Sequence, residues 1–278
     1  MKNYKFIIPF FFLILFFNTG CRNKPAENDA IPVISAGYED KGDFRVLYQY
    51  FRQNSDAKIV IDQLRKEGVM DNMVKELNSI FKLPYDVLIR FKQSDTANAW
   101  YSPETRSIDF TSAFIIEFYD NFAKYYKGDE LIHKVTNVVI FFLFHEIGHA
   151  LTDIYQLSVK GPEEDVVDDF AIYLLSGGDA ITQEAVLDGA NMFYEYGKRT
   201  EDLTVKSLEL WDEHSLDQQR FYNILCMMYG SNPEKYSYLI SPKLLPQNMT
   251  NRCLGDYEKI MRSWHNDLSQ YMHPMINQ

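Results

Sequence analysis

Residues 137–151 read NVVIFFLFHEIGHAL, and this stretch indicates both a core helix and a metal site. The segment is apolar nearly all round, which predicts a helix buried in the protein. In such a helix His145 and His149 share one face and can direct both imidazoles at one metal ion. Glu146 lies about 100° further round the helix, beside the coordination position left open for water. The pattern HExxH is therefore typical of a zinc hydrolase, with Glu146 as the general base.

The apolar setting also bears on whether this pattern arose by accident. Two imidazoles and a carboxylate are costly to bury unless they are paired or bound to a metal. A core without metal would have to supply partners for all three groups at once. A metal site is the favoured interpretation, and a helix with core histidines is the alternative.

The third ligand decides the class of metal site, because a catalytic zinc usually takes three protein ligands. Metzincins place a third histidine six residues after the second, where this chain has Tyr155, so that class is excluded. Glu163 and Glu164 begin the next predicted helix, and only Glu164 has a carboxylate, Asp168, four residues later. A ligand Glu with an Asp one turn on can bind the metal while the Asp orients a ligand histidine. Glu164 is favoured over Glu163, and the alternative is that these acids only cap and solvate the helix.

HExxH followed by Glu-x-x-x-Asp on the next helix resembles the gluzincin metallopeptidases, the thermolysin-like clan. The chain resembles more closely an uncharacterised bacterial family of metallopeptidase-like proteins, over most of its length. The resemblance implies one zinc ion per chain on His145, His149 and Glu164, and a peptide or protein substrate. It also implies an α+β, zincin-like fold, with a small mixed β-sheet ahead of the HExxH helix and a mainly helical C-terminal half. The family tends to carry Arg and Ala where this chain has Pro162 and Val167. The resembling segments are 98–103, 145–151, 161–168 and 212–223.

Two segments ahead of this helix, Val87–Lys92 and 106–110, alternate as strands do. Residues 98–101 lie between them and are expected to form a sheet edge above the metal helix, or else an ordinary hairpin with a buried aromatic. In gluzincins a similar Asn-Ala edge holds an extended peptide by strand addition. The resemblance thus implies that Asn98 and Ala99 bind substrate.

The segment after residue 211 offers His214, Arg220 and Tyr222 as polar groups that could face the site. A tetrahedral oxyanion needs a positioned donor besides the metal, and His214 is predicted for that catalytic role. The alternative is that residues 212–215 simply begin a helix.

The N-terminus predicts where the protein acts. Lys2 and Lys5 precede an apolar run over residues 6–17 that is too short to span a membrane comfortably. Residues 1–20 are therefore expected to be a lipoprotein signal peptide. Gly20-Cys21 resembles a bacterial lipobox, so Cys21 is expected to be lipidated, with plain signal cleavage as the alternative. The expected location is the bacterial cell envelope, anchored to a membrane outside the cytoplasm.

Residues 21–43 are polar, contain Pro and Gly, and are expected to be a flexible tether. Residues 44–278 contain no further linker and are expected to form one metallopeptidase-like domain. In an oxidising compartment Cys226 and Cys253 are candidates for a disulfide, and two separate buried thiols are the alternative.

The formal net charge is −11, and loss of Lys2 and Lys5 with the signal makes the chain still more acidic. Nucleic acid is thus excluded as an expected partner. The competing function is a non-catalytic, zinc-containing envelope lipoprotein with a structural or binding role. An intact Glu146 argues against it, because a structural zinc is normally closed by four ligands. Binding through the acidic surface without zinc would require an accidental HExxH.

Overall fold

The computed structural model describes residues 38–53, 55–159, 161–198, 216–242 and 244–274. The predicted signal peptide, Cys21, most of the predicted tether and His214 lie outside the described residues. The predicted small mixed sheet and the largely helical content are confirmed. Two helices that were not predicted, between the first and second strands, add to the N-terminal half.

The strands are β1 (Phe44–Tyr48), β2 (Val87–Lys92), β3 (Ala99–Ser102) and β4 (Ser107–Thr111). The helices are α1 (Asp56–Glu67), α2 (Val69–Ile80), α3 (Ser112–Phe122), α4 (Gly128–Ile154), α5 (Glu163–Leu175), α6 (Ala180–Lys198), α7 (Asp217–Ser231) and α8 (Thr250–Leu268). The strand order in the sheet is β1-β2-β4-β3, with β3 antiparallel to β4 and the other pairs parallel.

Burial along the strands explains this order. In β2 the alternate residues Val87, Ile89 and Phe91 are buried, as expected for a strand that packs one face on the core. Strand β4 is buried along its whole length and lies inside the sheet. Strand β3 is half-buried and forms one edge. That edge contacts α4, so the sheet and the HExxH helix meet at β3.

Helix α4 carries residues 145–149 through the centre of the protein. It is long and apolar enough to cross a membrane, but 94% of its most apolar window is buried inside the protein, as in a core helix. It packs against α3, α5 and α6. The histidines are therefore fixed to the element that organises the core.

Gly148 allows α5 to approach α4 closely. A Cβ atom at this position would lie 2.9 Å from Cβ of Val167 and 3.1 Å from Cδ1 of Phe170. Carbon atoms normally pack about 3.5–4.0 Å apart, so no side chain fits there without movement. The glycine inside HExxH thus sets the spacing between the two helices that carry the site.

The C-terminal helices are joined by a disulfide between Cys226 of α7 and Cys253 of α8. The end of the chain returns to the N-terminal half, where the ring of Tyr271 stacks on Tyr155, with centroids 4.0 Å apart. Tyr38 packs edge-on against both rings. Residues 38–43 were predicted to belong to the tether. Tyr38, one of them, instead packs against the folded domain.

Candidate metal centre

Two histidines and one glutamate meet where α4 crosses α5. Nε2 of His145 and Nε2 of His149 lie 3.2 Å from different oxygens of Glu164. One ligand atom from each of the three residues falls within 4.8 Å of the others. Such a group can hold one metal ion.

The other nitrogen of each imidazole faces a second carboxylate. Nδ1 of His145 lies 2.8 Å from Oδ1 of Asp168, and Nδ1 of His149 lies 2.8 Å from Oε1 of Glu163. With the proton on Nδ1, each imidazole donates a hydrogen bond to its carboxylate. The lone pair of Nε2 is then free and faces Glu164. The donor set, two imidazoles and a carboxylate with both rings oriented, fits zinc.

These carboxylates also raise the basicity of the rings. Burial opposes protonation of His145, but hydrogen bonds to Asp168 and Glu164 outweigh it and raise its pKa to about 9. For His149, burial again opposes protonation, and the carboxylates of Glu164 and Glu163 raise the pKa above its usual value. A metal ion that binds here must displace the proton from Nε2, and the hydrogen bonds at Nδ1 then favour the bound, neutral ring.

Arg220 of α7 holds the carboxylate that orients His145. Its guanidinium donates two hydrogen bonds to Asp168, at 2.7 and 2.8 Å, and its third nitrogen lies 3.7 Å from Glu164. Burial favours the neutral form of Asp168, but the charge of Arg220 and the hydrogen bonds from His145 and Arg220 lower its pKa below the usual range. The paired arrangement keeps a buried carboxylate ionised.

Glu146 lies beside the metal group and touches the sheet. Its side chain is only 6% exposed, burial raises its pKa, and its carboxylate accepts a hydrogen bond from the backbone N–H of Tyr101 in β3. The phenol of Tyr101 donates to Asp153 of α4 at 2.9 Å. Tyr101 thus holds the edge strand to the helix at two points that are two turns apart.

The register of β3 leaves half of its backbone groups directed away from β4. The backbone N–H of Thr111 donates to the carbonyl of Asn98 at 3.1 Å, so Asn98 and Thr111 form a hydrogen-bonded pair of the antiparallel ladder. Hydrogen-bonded pairs alternate along an antiparallel ladder, so the N–H and C=O groups of Ala99 and Tyr101 point to the free edge. Asn98 is exposed and Ala99 half-buried at this edge.

The contacts that three of the site residues make were not predicted from the sequence. Glu163 was weighed only as a ligand, whereas the structure places it on Nδ1 of His149. Arg220 was expected to face the site without a stated partner, and Tyr101 had no expected contact with Glu146. Glu163 could have been found, because two adjacent acids after HExxH can serve two rings. Contacts that depend on how α7 and β3 pack carry no such local signal.

A pair of histidines one turn apart and a carboxylate from the next helix form a group that can hold one metal ion, with a buried glutamate beside it at a sheet edge. The family model described as "Putative metallopeptidase" matches residues 48–268, and the chain belongs to that family. Membership indicates a metal-dependent peptidase, a hydrolase. Searches of curated proteins and of solved structures each found no match.

Proposed function

We propose that this protein is a zinc-dependent metallopeptidase of the bacterial cell envelope with a zincin-like fold. The observation that carries the proposal is the convergence of both Nε2 atoms on Glu164, each ring being held by its own carboxylate. Residues His145, His149 and Glu164 would bind one zinc ion, oriented by Asp168 and Glu163.

Zinc in this site would polarise a water molecule and a carbonyl oxygen, lowering the pKa of the water toward about 7. Glu146 takes a proton from the attacking water and delivers it to the leaving amine. Its buried carboxylate, held by the N–H of Tyr101, has a raised pKa, which suits a group that must accept and return a proton.

The substrate is proposed to lie along the free edge of β3. Ala99 offers an N–H and a C=O to an extended peptide, with Asn98 at the start of the strand. His214, outside the described residues, is proposed as the donor to the oxyanion. An acidic chain with a free strand edge beside a metal group suits a peptide better than a nucleic acid.

Lipidation of Cys21 is proposed to anchor the protein outside the cytoplasm. The disulfide between Cys226 and Cys253 supports an oxidising compartment. Mass spectrometry of the mature N-terminus is expected to find a lipid-modified Cys21, and Cys21→Ser is expected to move the protein from the membrane to the soluble fraction. An unmodified N-terminus would refute the anchor without affecting the metal site.

The decisive experiment measures zinc content and peptide hydrolysis together in the purified full-length chain. We expect one zinc per chain, lost or weakened in His149→Ala and Glu164→Gln. Glu146→Gln is expected to keep zinc and lose hydrolysis, because only the base is removed. Glu130→Gln, an exposed acid in the first turn of α4, is the matched control and is expected to change neither.

The outcomes separate the alternatives. A Glu146→Gln protein with full activity would overturn the base assignment. Zinc bound tightly by the wild type without hydrolysis of any peptide library would favour the structural or binding lipoprotein. A folded wild type without metal would remove the zinc site and the enzyme together.

A further inference from the structure

One residue of the sheet edge contacts the HExxH helix at two points. Tyr101 pairs with Ile108 in the antiparallel ladder, and its side chain packs against the core. Its backbone N–H donates to the carboxylate of Glu146, and its phenol donates to Oδ2 of Asp153 at 2.9 Å. Glu146 and Asp153 are two turns apart on one face of α4, about 10 Å along the helix axis. Tyr101 therefore lies along the face of α4 that carries the proposed base.

The orientation of the Glu146 carboxylate depends on this contact. Among the described residues, the backbone N–H of Tyr101 donates the one hydrogen bond that this carboxylate accepts. The charges of His145 and His149 attract the carboxylate and that of Glu164 repels it, but charges alone do not fix the direction of its oxygens. A general base must lie within hydrogen-bond reach of the proton that it abstracts. The N–H of Tyr101 therefore sets the direction in which the base can act.

The phenol of Tyr101 holds this part of the strand against α4. Strand β3 is an edge strand, so β4 pairs with it on one side only. In the described ranges, the bond from the Tyr101 phenol to Asp153 is the one side-chain hydrogen bond that joins β3 to α4. Trp100 faces the opposite side of the sheet, where Nζ of Lys92 lies 4.2 Å from the centre of its ring. A displacement of the phenol would therefore also move the N–H that Glu146 accepts.

The phenol of Tyr101 is itself held in place and keeps its proton. It also forms a hydrogen bond with the phenol of Tyr85, and the guanidinium of Arg106 lies 4.0 Å from the centre of the Tyr85 ring. Burial first, and then the hydrogen bond and charge of Asp153, raise the pKa of Tyr101 well above its usual value. The phenol therefore remains a donor at neutral pH. Hydrogen bonds to an ionised acceptor are roughly twice as strong as neutral ones.

We propose that Asp153 and Tyr101 are positioning residues for the general base. Asp153 holds the phenol of Tyr101, and Tyr101 thereby keeps its backbone N–H where it directs the Glu146 carboxylate toward the attacking water. Neither side chain takes part in proton transfer, because both act through the orientation of Glu146. The proposal rests on the proposed function, since a base has a role only where hydrolysis occurs.

Steady-state kinetics of peptide hydrolysis by the purified full-length chain test the effect on the base. Tyr101→Phe and Asp153→Ala each remove the phenol–carboxylate bond. Each is expected to lower kcat about tenfold, a part of the roughly 10²–10⁴-fold that a positioned base contributes. KM is expected to change by less than about twofold, because the backbone groups of Ala99 remain at the free edge. Zinc content is expected to stay at the wild-type value, because the three proposed ligands are held by other contacts.

Three further variants separate positioning from charge and from stability. Asp153→Asn keeps an oxygen acceptor for the phenol and is expected to keep kcat within about threefold of the wild type. The variant with both Tyr101→Phe and Asp153→Ala is expected to lose no more than either single variant, because both changes remove the same bond. Tyr155→Phe is the matched control, because it removes another phenol hydrogen bond of 2.9 Å, to the carbonyl of Lys82, just beyond α4. It is expected to lower the urea midpoint and to leave kcat unchanged.

Amide hydrogen exchange followed by NMR tests the contact without any substrate. In the wild type the N–H of Tyr101 is expected to exchange more slowly than that of Ala99, which also points to the free edge. Asp153→Ala is expected to speed exchange at Tyr101 at least about tenfold, as for loss of one charged hydrogen bond. Exchange at Ala99 is expected to stay as in the wild type.

The outcomes distinguish this proposal from the proposed function. Unchanged exchange at Tyr101 in Asp153→Ala would overturn the positioning role, whether or not the wild type hydrolyses peptides. In an active enzyme, unchanged kcat in both single variants, or an equal fall of kcat in Tyr155→Phe, would also overturn it. A folded wild type that binds zinc and hydrolyses no peptide would refute the proposed function, and the role of Asp153 with it, even where exchange follows the prediction. Circular dichroism checks folding, and Asp153→Ala gives a second test if Tyr101→Phe does not fold.

Discussion

Substitution of Gly148 by alanine tests whether the approach of α5 to α4 sets the metal site. The new Cβ would begin 2.9 Å from Val167 and 3.1 Å from Phe170. Reaching ordinary contact requires a displacement of about 0.5 Å or more. Metal–ligand distances tolerate only about 0.2 Å. Because Glu164 lies one turn before Val167 on α5, the displacement carries a proposed ligand away from the histidines.

The expected change in the free energy of unfolding follows from two opposing effects of the substitution. Overpacking of a core costs about 1–3 kcal/mol, whereas alanine in place of glycine gains about 1 kcal/mol of helix propensity. We expect Gly148→Ala to lower the free energy of unfolding by up to about 2 kcal/mol. We expect zinc affinity to fall by about tenfold, as for other changes that misplace ligands without removing them.

Denaturant unfolding and zinc titration against a chromophoric chelator measure the two effects separately. Gly255→Ala on α8 is the matched control, because a Cβ there meets nothing within 4 Å and is expected to stabilise the helix without changing zinc affinity. Val167→Gly combined with Gly148→Ala removes the Cβ atom that the new methyl group meets and is expected to recover part of the zinc affinity. Wild-type zinc affinity and stability in Gly148→Ala would refute the reasoning.

Three further predictions concern other parts of the chain. Glu163→Gln is expected to retain zinc but bind it about tenfold more weakly, because His149 loses the carboxylate that orients it; chelator titration measures this, and unchanged affinity would contradict it. Replacing Cys226 and Cys253 by alanine opens a cross-link between positions 27 residues apart and is expected to cost about 3.5 kcal/mol in the chain-entropy model, measured by urea unfolding; an unchanged midpoint would contradict that cost. Because the pKa of Asp169 is raised to about 8, the folded state holds its proton more tightly than the unfolded state, so stability is lost as the pH rises from about 4 to about 8, by at most about 1.4 kcal/mol per pH unit. Asp169→Asn is expected to remove that part of the slope, and parallel stability curves for both proteins would argue against it.

The parts of the structure that follow from local periodicity were predictable. The spacing of four residues brings His145 and His149 to one helix face, and alternation placed the strands near residues 87–92 and 107–111. The choice between Glu163 and Glu164 rested on Asp168 alone. Both glutamates proved to lie at the histidines, one at the Nε2 atoms and one at Nδ1 of His149.

Features that depend on how elements pack were not predictable. The bidentate contact of Arg220 with Asp168 joins residues 52 positions apart, and its geometry follows from the crossing of α5 and α7. The hydrogen bond from Tyr101 to Glu146 requires the sheet edge to lie against α4. The concave surface beside Asp169 is lined by the end of α4 and by α5, α7 and α8, which no single sequence pattern relates.

The burial of α4 has a consequence for the fate of the chain before it folds. A nascent segment this long and apolar can partition into a lipid bilayer as an alternative to folding. A charged side chain at the centre of such a helix costs about 2.5–3.5 kcal/mol on insertion, and an ionised Glu146, five residues past the midpoint of this one, carries part of that cost. The same glutamate that is proposed to move protons thus also disfavours the membrane as a destination for the helix that carries it.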